Sequence, residues 1–388
     1  MIPEDALDEL ASRIETFVRK IILPYEKDAR LTGYGPSAAL VAELRGHARA
    51  AGLLAPHISA DGKHMPLRQT AKLFGKAGLS PLGPVALNVA APDEGNMLLL
   101  GRIANSGQRA QFLDPLIKGE VRSAFLMTEP SWEQGAGSDP SMMLTTAVRD
   151  GDDWIINGRK AFITGAQGAE VGIVMANTDR GAAMFLVRLP HPAVQIERVL
   201  DTLDSSMPGG HAIVKIDNLM VSDDQVLGEA GRGFEYAQVR LAPARLSHCM
   251  RWHGACVRMQ EIACEYACRR KAFGRQLIDH EGVGFMLSDN LIELKQAELM
   301  IDWCAGVVDS GAPGMLESSM TKAAVSEGLY RIADRCVQIM GGLGVSRDTV
   351  VEQVFREIRA FRIYDGPTEV HKWSIAKSIK RAHSIRNQ

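Results

Sequence analysis

Two stretches of the 388-residue sequence combine residue types that could do chemistry. Thr128-Glu129-Pro130, followed by Gly135-Ala136-Gly137-Ser138-Asp139, is a polar, glycine-bearing loop after an apolar run at 124–127. Such a loop can present hydroxyls and backbone N–H groups to an anionic or heteroaromatic ligand, although it could equally be a plain turn-rich loop. Near the C-terminal end, Asp365-Gly366-Pro367 could supply a carboxylate base, or could simply start the last helix with a proline in its first turn.

Common catalytic and nucleotide-binding signatures are absent from the sequence. No G-x-G-x-x-G follows a predicted strand, and the glycines of 231–233 and 341–344 lack both the spacing and the βαβ context of a Rossmann fold. The sequence also has no P-loop, no G-x-S-x-G and no H-E-x-x-H. These absences argue against a Rossmann-bound nucleotide, phosphoryl transfer, serine hydrolysis and zinc proteolysis.

The overall composition is that of an ordinary globular protein. Hydrophobic residues make up 46% of the chain and charged residues 23%, and the length suits roughly two or three domains. The formal charge of −2 gives no global field that would attract nucleic acid or an anionic membrane. The N-terminal residues are acidic and amphipathic, and no run reaches about 18 apolar residues. We therefore expect neither a signal peptide nor a transmembrane segment, and predict a cytoplasmic protein.

The six cysteines lie between Cys249 and Cys336 and form no C-x-x-C pair. They are predicted to be small core residues in a reducing compartment. Cys264 and Cys268 are spaced for one helical face, but no second pair of ligands lies nearby in the sequence, so no metal site is predicted.

The residue pattern changes twice along the chain, which predicts three domains. It is helical in 1–122, typical of β-structure in 123–230 and helical again in 231–388. Asn157-Gly158, between two short apolar runs, predicts a tight β-hairpin turn. In the last part, one apolar face persists for about six turns, which is typical of a long helix in a bundle. This face consists of Leu287, Leu291, Leu294, Ala297, Ile301, Ala305 and Val308.

Further motifs follow the 128–139 loop in a fixed order. They are Ala161-Phe162-Ile163-Thr164-Gly165, Leu227-Gly228-Glu229, Arg270-Lys271-Ala272-Phe273-Gly274-Arg275, Gln338-Ile339-Met340-Gly341-Gly342-Leu343-Gly344 and Ile363-Tyr364-Asp365-Gly366-Pro367-Thr368-Glu369-Val370. With this order and these separations, the chain resembles the acyl-CoA dehydrogenase family over essentially its whole length. The stretch 240–251 and the ending Asp-Gly-Pro-x-Glu-Val-His are more similar to the branch related to acyl-CoA dehydrogenases 10 and 11 than to the mitochondrial medium-chain enzymes.

The resemblance implies a mainly α fold with a middle β domain. The expected parts are an N-terminal α-helical domain, a middle β-barrel and a C-terminal four-helix bundle. It also implies a flavoenzyme that binds FAD without a Rossmann fold and oxidises an acyl-CoA thioester to the trans-2-enoyl-CoA. Fatty acid metabolism by β-oxidation is the process that this activity implies.

The resemblance assigns one group of residues to the flavin ring. Met127 and Thr128 would contact its pyrimidine side, and Thr164 would hydrogen-bond near the flavin N5. Phe162 stands where the family usually has a tryptophan against the isoalloxazine, and a phenyl ring can still stack there.

A second group is implied to bind the rest of FAD, in part from a neighbouring protomer. Arg270 and Phe273 match a motif that reaches the FAD of another subunit, so a homo-oligomer is expected, either a dimer or a dimer of dimers (a homotetramer). Gln338, Gly341 and Gly342 are implied to contact the adenosine diphosphate portion, and Thr368 and Glu369 to cap the last helix toward the flavin or the adenine.

The resemblance also assigns the catalytic and substrate-binding residues. Asp365 stands where the family has its catalytic base, and it is one methylene shorter than the usual glutamate. Ser138, Arg245 and Gly366 are expected to bind the substrate. Ala244 fills the position where the isovaleryl and long-chain members carry their base, which removes that alternative.

Three departures from the family pattern concern ligand contacts. Residues 131–134 look like an insertion on the CoA side, Glu281 replaces a glutamine near the FAD pyrophosphate, and Pro367 replaces a threonine after the base. The same fold could instead host a flavin oxidase or monooxygenase, or a flavin-free CoA-binding or scaffold protein. For a dehydrogenase, the resemblance implies electron-transfer flavoprotein as the electron acceptor.

Overall fold

In the computed structural model, residues 2–59 and 62–386 are described, so the predicted domain limits at residues 1 and 388 lie outside the described part. The chain forms two compact units. The helical unit comprises Met1–Lys27, Met65–Pro84 and Ala242–Gln388, and the sheet unit comprises Asp28–His64 and Val85–Leu241. The three predicted domains remain a proposal, based on where the secondary structure changes along the chain.

Helices dominate both ends of the chain, and strands dominate the middle. The α-helices are α1 (Glu4–Phe17), α2 (Ala38–Ala50), α3 (Leu67–Ala77), α4 (Gly83–Ala86), α5 (Asp93–Ile103), α6 (Ser106–Gln108), α7 (Asp114–Ile117), α8 (Gly233–Arg269), α9 (Glu281–Asp309), α10 (Met315–Met340), α11 (Val350–Phe361) and α12 (Thr368–Arg386). The strands are β1 (Leu31–Thr32), β2 (Gly35–Pro36), β3 (Ser123–Leu126), β4 (Thr146–Asp150), β5 (Asp153–Thr164), β6 (Val171–Thr178), β7 (Gly181–Arg188), β8 (Val194–Leu200), β9 (His211–Ser222), β10 (Lys271–Ala272) and β11 (Arg275–Gln276). Two π-helical segments are Val18–Ile22 and Arg109–Leu113, and the 3-10 segments are Leu23–Lys27, Ser131–Glu133, Pro140–Met142, Asp223–Gln225, Leu277–Asp279 and Gly341–Leu343.

The main sheet of the sheet unit has the strand order β3-β6-β4-β5-β9-β8, and β7 pairs with β6. Its two faces are both apolar, as the alternation along β7 shows. Ala183, Phe185 and Val187 enter one core cluster, whereas Met184 and Leu186 enter another. Because successive side chains of a strand point to opposite faces, this pattern means that the sheet is buried on both sides here.

The predicted hairpin at Asn157-Gly158 is wrong, because β5 runs through both residues as one strand. Its pairing with β9 shifts register between Ile156 and Gly158, so the dipeptide marks a bulge rather than a turn. A Cβ on Gly158 would lie 2.4 Å from Oγ1 of Thr145, which explains the glycine. The hairpin turn lies earlier, between Asp150 and Asp153, where Gly151 has a φ of +62°.

In the helical unit, α10 packs against α9, α11 and α12. The two N–H groups at the start of α3, those of Leu67 and Arg68, donate to the Asp309 carboxylate at 2.7 and 2.9 Å. Most of the apolar face predicted on α9 is buried, but Leu291 is 62% exposed. The periodicity identified the helix correctly and overestimated the width of its buried face.

The predicted burial of the cysteines is confirmed for Cys249, Cys256, Cys304 and Cys336, which are free thiols, while Cys264 is half-buried. It is wrong for Cys268, which is exposed near the end of α8. Among residues 2–59 and 62–386, no group of three or more histidine, cysteine or acidic side chains is placed to hold a metal ion. No helix in those ranges is long and apolar enough to cross a membrane.

A buried ion pair organises the loop that follows β3. Lys160 on β5 donates to the Glu129 carboxylate at 3.0 Å, and both side chains are almost completely buried. Glu129 also accepts from the backbone N–H groups of Ala136, Leu144 and Thr145. One carboxylate therefore ties both ends of the 128–145 segment to the sheet.

The pKa values of Glu129 and Lys160 are both shifted from their ordinary values. Burial raises the pKa of Glu129, but the charge of Lys160 and the bonds from Leu144 and Thr145 outweigh it and lower that pKa to about 2. Burial lowers the pKa of Lys160 to about 8, against the attraction of Glu129. Near neutral pH the pair is therefore ionic.

Replacing Glu129 by glutamine should lower the free energy of unfolding by about 3–5 kcal/mol at pH 7, because it leaves a buried ammonium without its counter-ion. Since the folded-state pKa of Glu129 is depressed, its stabilisation is complete above about 4.5 and is lost as the pH falls toward about 2. The difference between wild type and Glu129→Gln, measured by denaturant unfolding, should shrink over that interval. The control is Glu133→Gln, which breaks an exposed ion pair with Arg159 and should cost less than about 1 kcal/mol. Equal effects of the two changes would contradict this role of Glu129.

Candidate active site

In the helical unit, the chain between α11 and α12 contains two consecutive residues with left-handed backbone. The φ angles are +54° at Asp365 and +101° at Gly366. Asparagine and aspartate tolerate this region better than most residues other than glycine. The backbone thus gives a reason for an aspartate, rather than the longer glutamate, at this position.

Buried donors hold the carbonyl groups of this turn in place. The ammonium of Lys322, on α10, donates to the carbonyl oxygens of Phe361 and Gly366 at 2.7 and 2.9 Å. Nε of Arg245, on α8, donates to the carbonyl oxygen of Asp365 at 3.0 Å. Three backbone acceptors in six residues are therefore fixed by two cationic side chains, which stabilises the strained conformation.

The side chain of Asp365 lies beside a buried histidine of α8. Nε2 of His248 is 3.3 Å from Oδ2 of Asp365. On the other side of the ring, Nη2 of Arg251 lies 3.2 Å from Nδ1 of His248. Because a guanidinium can only donate, Nδ1 accepts this bond and the ring hydrogen of the neutral imidazole is on Nε2, facing Asp365.

Positive charge surrounds the Asp365 carboxylate. Burial lowers the pKa of Arg245 from its ordinary value, while the charge of Asp365 opposes that shift. Burial also lowers the pKa of Lys322 to about 8, again against the attraction of Asp365 among other groups. Both cations therefore attract the carboxylate.

His371, in the first turn of α12, packs against the same turn. Burial, and then the charges of Arg245 and Lys322, lower its pKa to about 4, so its ring is neutral near pH 7. Its Nε2 has no hydrogen-bond partner in the part of the chain that the structure describes. A Cβ on Gly366 would approach this atom to 2.8 Å, so the glycine is required by the close contact as well as by its φ angle.

In the sheet unit, Phe162 occupies a second strained position. Its φ is +56°, within the register shift between Lys160 and Ile163 of β5, and its side chain is 49% exposed. The indole of Trp132, itself 54% exposed, meets the Phe162 ring edge to face at 6.0 Å. The two rings form an apolar surface that the bulge turns outward.

The other residues predicted to contact the flavin ring, Met127, Thr128 and Thr164, lie in the same unit. The carbonyl of Met127 accepts from Lys160 at 3.2 Å, and that of Thr128 accepts from the N–H of Ala161 at 2.9 Å. The hydroxyl of Thr164 lies 2.9 Å from Nδ1 of His211. Exposed aromatic rings with threonine hydroxyls nearby in the sequence suit a flat heteroaromatic group with a polar edge, so the residues fit the isoalloxazine of FAD.

The residues predicted to reach a neighbouring subunit lie on an exposed hairpin of the helical unit. Arg270 and Phe273 are both exposed, and Phe273, at 95% exposure and with a φ of +51°, is at the tip between β10 and β11. Gln338, Gly341 and Gly342 lie at the exposed C-terminal end of α10. Nothing described lies within 4 Å of a Cβ placed on either glycine, so space remains around them.

The remaining predicted residues have other surroundings. Thr368 is buried and its hydroxyl donates to Glu327 at 2.7 Å. Thr368 and Glu369 line a cavity of about 710 Å³ together with residues of α9 and α10. Ser138 is exposed, in the loop that Glu129 anchors. The structure thus groups Asp365 with Arg245 and Gly366, and Phe162 with Thr164 on β5.

Comparison with known proteins identifies the family. The models of the acyl-CoA dehydrogenase middle domain and C-terminal domain match residues 124–210 and 231–380. A relative from Mycobacterium tuberculosis, named "Probable acyl-CoA dehydrogenase FadE2", is 38% identical over 87% of this chain and 85% of its own length. The chain belongs to the acyl-CoA dehydrogenase family.

The predicted similarity to acyl-CoA dehydrogenases 10 and 11 is also confirmed. "Acyl-CoA dehydrogenase family member 11" of Rattus norvegicus is 32% identical over 95% of this chain but only 50% of its own length, so the chain spans about half of that relative. The structure of a glutaryl-CoA dehydrogenase from Mycobacterium smegmatis in complex with FADH2 matches with a TM-score of 0.85, covering 97% of this chain and 95% of the other at 23% identity. This match confirms the acyl-CoA dehydrogenase fold.

Sequence reasoning missed several residues that support the turn containing Asp365 and Gly366. His248 follows Arg245 by three positions, so both lie on one helical face of α8. That spacing could have linked them. Lys322 and His371 gave no such signal, because their burial depends on packing between α10 and the turn after α11.

Replacing Lys322 by methionine should release the turn that carries Asp365. The carbonyls of Phe361 and Gly366 would lose their donor, and the buried Phe361 carbonyl alone would cost about 1–3 kcal/mol if left unpaired. Denaturant unfolding should show this loss, and hydrogen exchange of residues 361–366 should accelerate. The matched control is Lys295→Met, which removes an exposed lysine paired with Glu298 and should change neither measurement. Identical behaviour of the two variants would rule out Lys322 as the anchor.

Proposed function

We propose that the protein is an FAD-dependent acyl-CoA dehydrogenase in which Asp365 removes the α-proton of an acyl-CoA thioester, giving the trans-2-enoyl-CoA. The observation that carries this proposal is the strained turn at Asp365, whose backbone is held by Arg245 and Lys322. Strain of this kind clusters at catalytic positions, because the surroundings must stabilise it. Membership of the acyl-CoA dehydrogenase family supports the same reaction.

The α-proton of a thioester is only weakly acidic, so its removal needs a positioned base and a polarised carbonyl. The turn fixes the direction of the Asp365 side chain through its backbone, and His248 contacts one carboxylate oxygen from the side. Ser138, Arg245 and Gly366 are proposed to bind the substrate, as the resemblance implies. Arg245 acts there through the backbone of the base, because its Nε is bonded to the Asp365 carbonyl.

Met127, Thr128, Phe162 and Thr164 are proposed to hold the flavin ring of FAD, which when bound accepts the β-hydrogen as hydride. The exposed Phe162 ring would cover one face of the ring system, and the hydroxyls would meet its polar edge. The FADH2 complex of the M. smegmatis glutaryl-CoA dehydrogenase supports this cofactor. The remainder of FAD is assigned to Gln338, Gly341, Gly342, Thr368 and Glu369.

We further propose that the active form is a homo-oligomer, a dimer or a dimer of dimers. An almost fully exposed Phe273 at a hairpin tip is available for insertion into a second copy. Arg270 next to it can provide a fork for a pyrophosphate. The reduced cofactor would pass its electrons to electron-transfer flavoprotein. We place the reaction in fatty acid β-oxidation and in the cytoplasm.

Changing Asp365 to asparagine tests the assigned base. The amide keeps the size of the side chain and the backbone bond to Arg245, so the variant should still fold and bind FAD. Flavin reduction by an acyl-CoA that the wild type oxidises, followed by anaerobic stopped-flow absorbance, should slow by about 10²–10⁴-fold.

The matched control for that experiment is Asp348→Asn, which changes an exposed aspartate and should reduce at the wild-type rate. Near-wild-type reduction in Asp365→Asn would assign the proton transfer to another group.

A further inference from the structure

A chain of three side chains ends at the hydroxyl predicted to meet the flavin. The hydroxyl of Thr164 is 2.9 Å from Nδ1 of His211, and Nε2 of His211 is 2.7 Å from Oδ2 of Asp204. Asp204 is 7% exposed, and the His211 side chain is 13% exposed. Such short, largely buried contacts fix the orientation of all three groups.

The strand register builds this arrangement. Thr164, the last residue of β5, is directly opposite His211, the first residue of β9. Gly209 and Gly210 precede β9 with φ angles of +82° and +57°, and a Cβ on Gly209 would lie 2.2 Å from the carbonyl oxygen of Gln167. The loop from β8 to β9 is therefore constrained where it returns the chain to His211, and Asp204 lies in this loop.

The chemistry of Asp204 determines the tautomer of His211. Burial raises the pKa of Asp204, but the hydrogen bond from His211, together with smaller contributions, outweighs it, so the net pKa lies below its usual value. As a carboxylate, Asp204 can only accept, so Nε2 of His211 carries a hydrogen. In the neutral ring Nδ1 is then an acceptor, and the Thr164 hydroxyl must donate to it.

We propose that His211, held by Asp204, is a positioning residue that turns the oxygen lone pairs of Thr164 toward the flavin N5 and thereby favours the reduced cofactor. The inference rests on the proposed function, because that function assigns Thr164 to the flavin. Reduced flavin carries a hydrogen on N5 that can donate to Thr164, whereas the oxidised N5 can only accept. With its hydrogen committed to His211, Thr164 stabilises the first state and not the second.

The test is the midpoint potential of the bound FAD, measured anaerobically against a reference dye without any acyl-CoA. In His211→Gln, the amide nitrogen can still donate to Asp204, so this buried carboxylate keeps a partner, but the acceptor at the Nδ1 position is lost. Thr164 is then free to donate to the oxidised flavin. The ratio of reduced to oxidised flavin at a given potential should fall about tenfold, equivalent to a decrease of about 30 mV for two electrons.

A double-mutant cycle separates this role from a structural one. Thr164→Val alone should lower the potential, and adding His211→Gln to it should have no further effect, because the hydroxyl that His211 orients is gone. His191→Gln, a histidine that accepts a bond within its own turn from Ala193, should leave the potential at the wild-type value.

Two results would overturn the inference. One is a wild-type potential in His211→Gln, and the other is an equal shift with and without Thr164. Failure of the proposed function has a different signature: the potential would shift as expected, while no acyl-CoA reduces the flavin. A chain that takes up no FAD on reconstitution would remove the assignment of Thr164, and the inference would fall with it.

Discussion

The left-handed backbone at Asp365 and Gly366 is the constraint on which the candidate active site depends. A turn of this kind is unfavourable for a residue with a side chain, so it persists only where neighbouring groups determine it. Lys322 and Arg245 hold the turn in this conformation by donating hydrogen bonds to three carbonyl oxygens. Burial makes these bonds costly to lose. The direction of the proposed base is thus set by its backbone, before any substrate is present.

In the sheet unit, a strained backbone position is stabilised in a different way. Phe162 also has a positive φ, but a β-bulge and the cross-strand pairing to β9 hold it in place. The buried pair of Glu129 and Lys160 fixes the loop that follows β3. In both units, a residue that the family resemblance assigns to the site has a strained backbone. Buried charged groups stabilise the segment around it.

Periodicity and turn signals in the sequence predicted much of the fold. The apolar spacing of α9, and the change from a helical to a β pattern near residue 123 and back near residue 231, follow directly from local pattern. The pattern at Asn157-Gly158 was misleading, because a close contact with Thr145 also requires glycine and leaves the same dipeptide. Leu291 was misassigned because periodicity shows which residues share a face but not how much of that face a neighbour covers.

The candidate site could be predicted only as far as its motifs extend. Asp365, Arg245 and Thr164 were assigned through family motifs, whereas Lys322 supports the Asp365 turn, and His211 contacts Thr164, from distant positions in the sequence. Their roles depend on burial and on the direction of hydrogen bonds, and neither property is visible in spacing. His211 illustrates this, since only the pairing of β5 with β9 places it opposite Thr164.

The proposed reaction is the FAD-dependent oxidation of an acyl-CoA thioester by this chain. Its most direct test is the visible absorption spectrum of the purified protein, recorded anaerobically while short, long, branched and cyclic acyl-CoAs are added in turn. We expect a flavin band that one class of thioester bleaches, with formation of the corresponding enoyl-CoA. A flavin band that no thioester bleaches, or a protein that remains colourless after reconstitution with FAD, would contradict it.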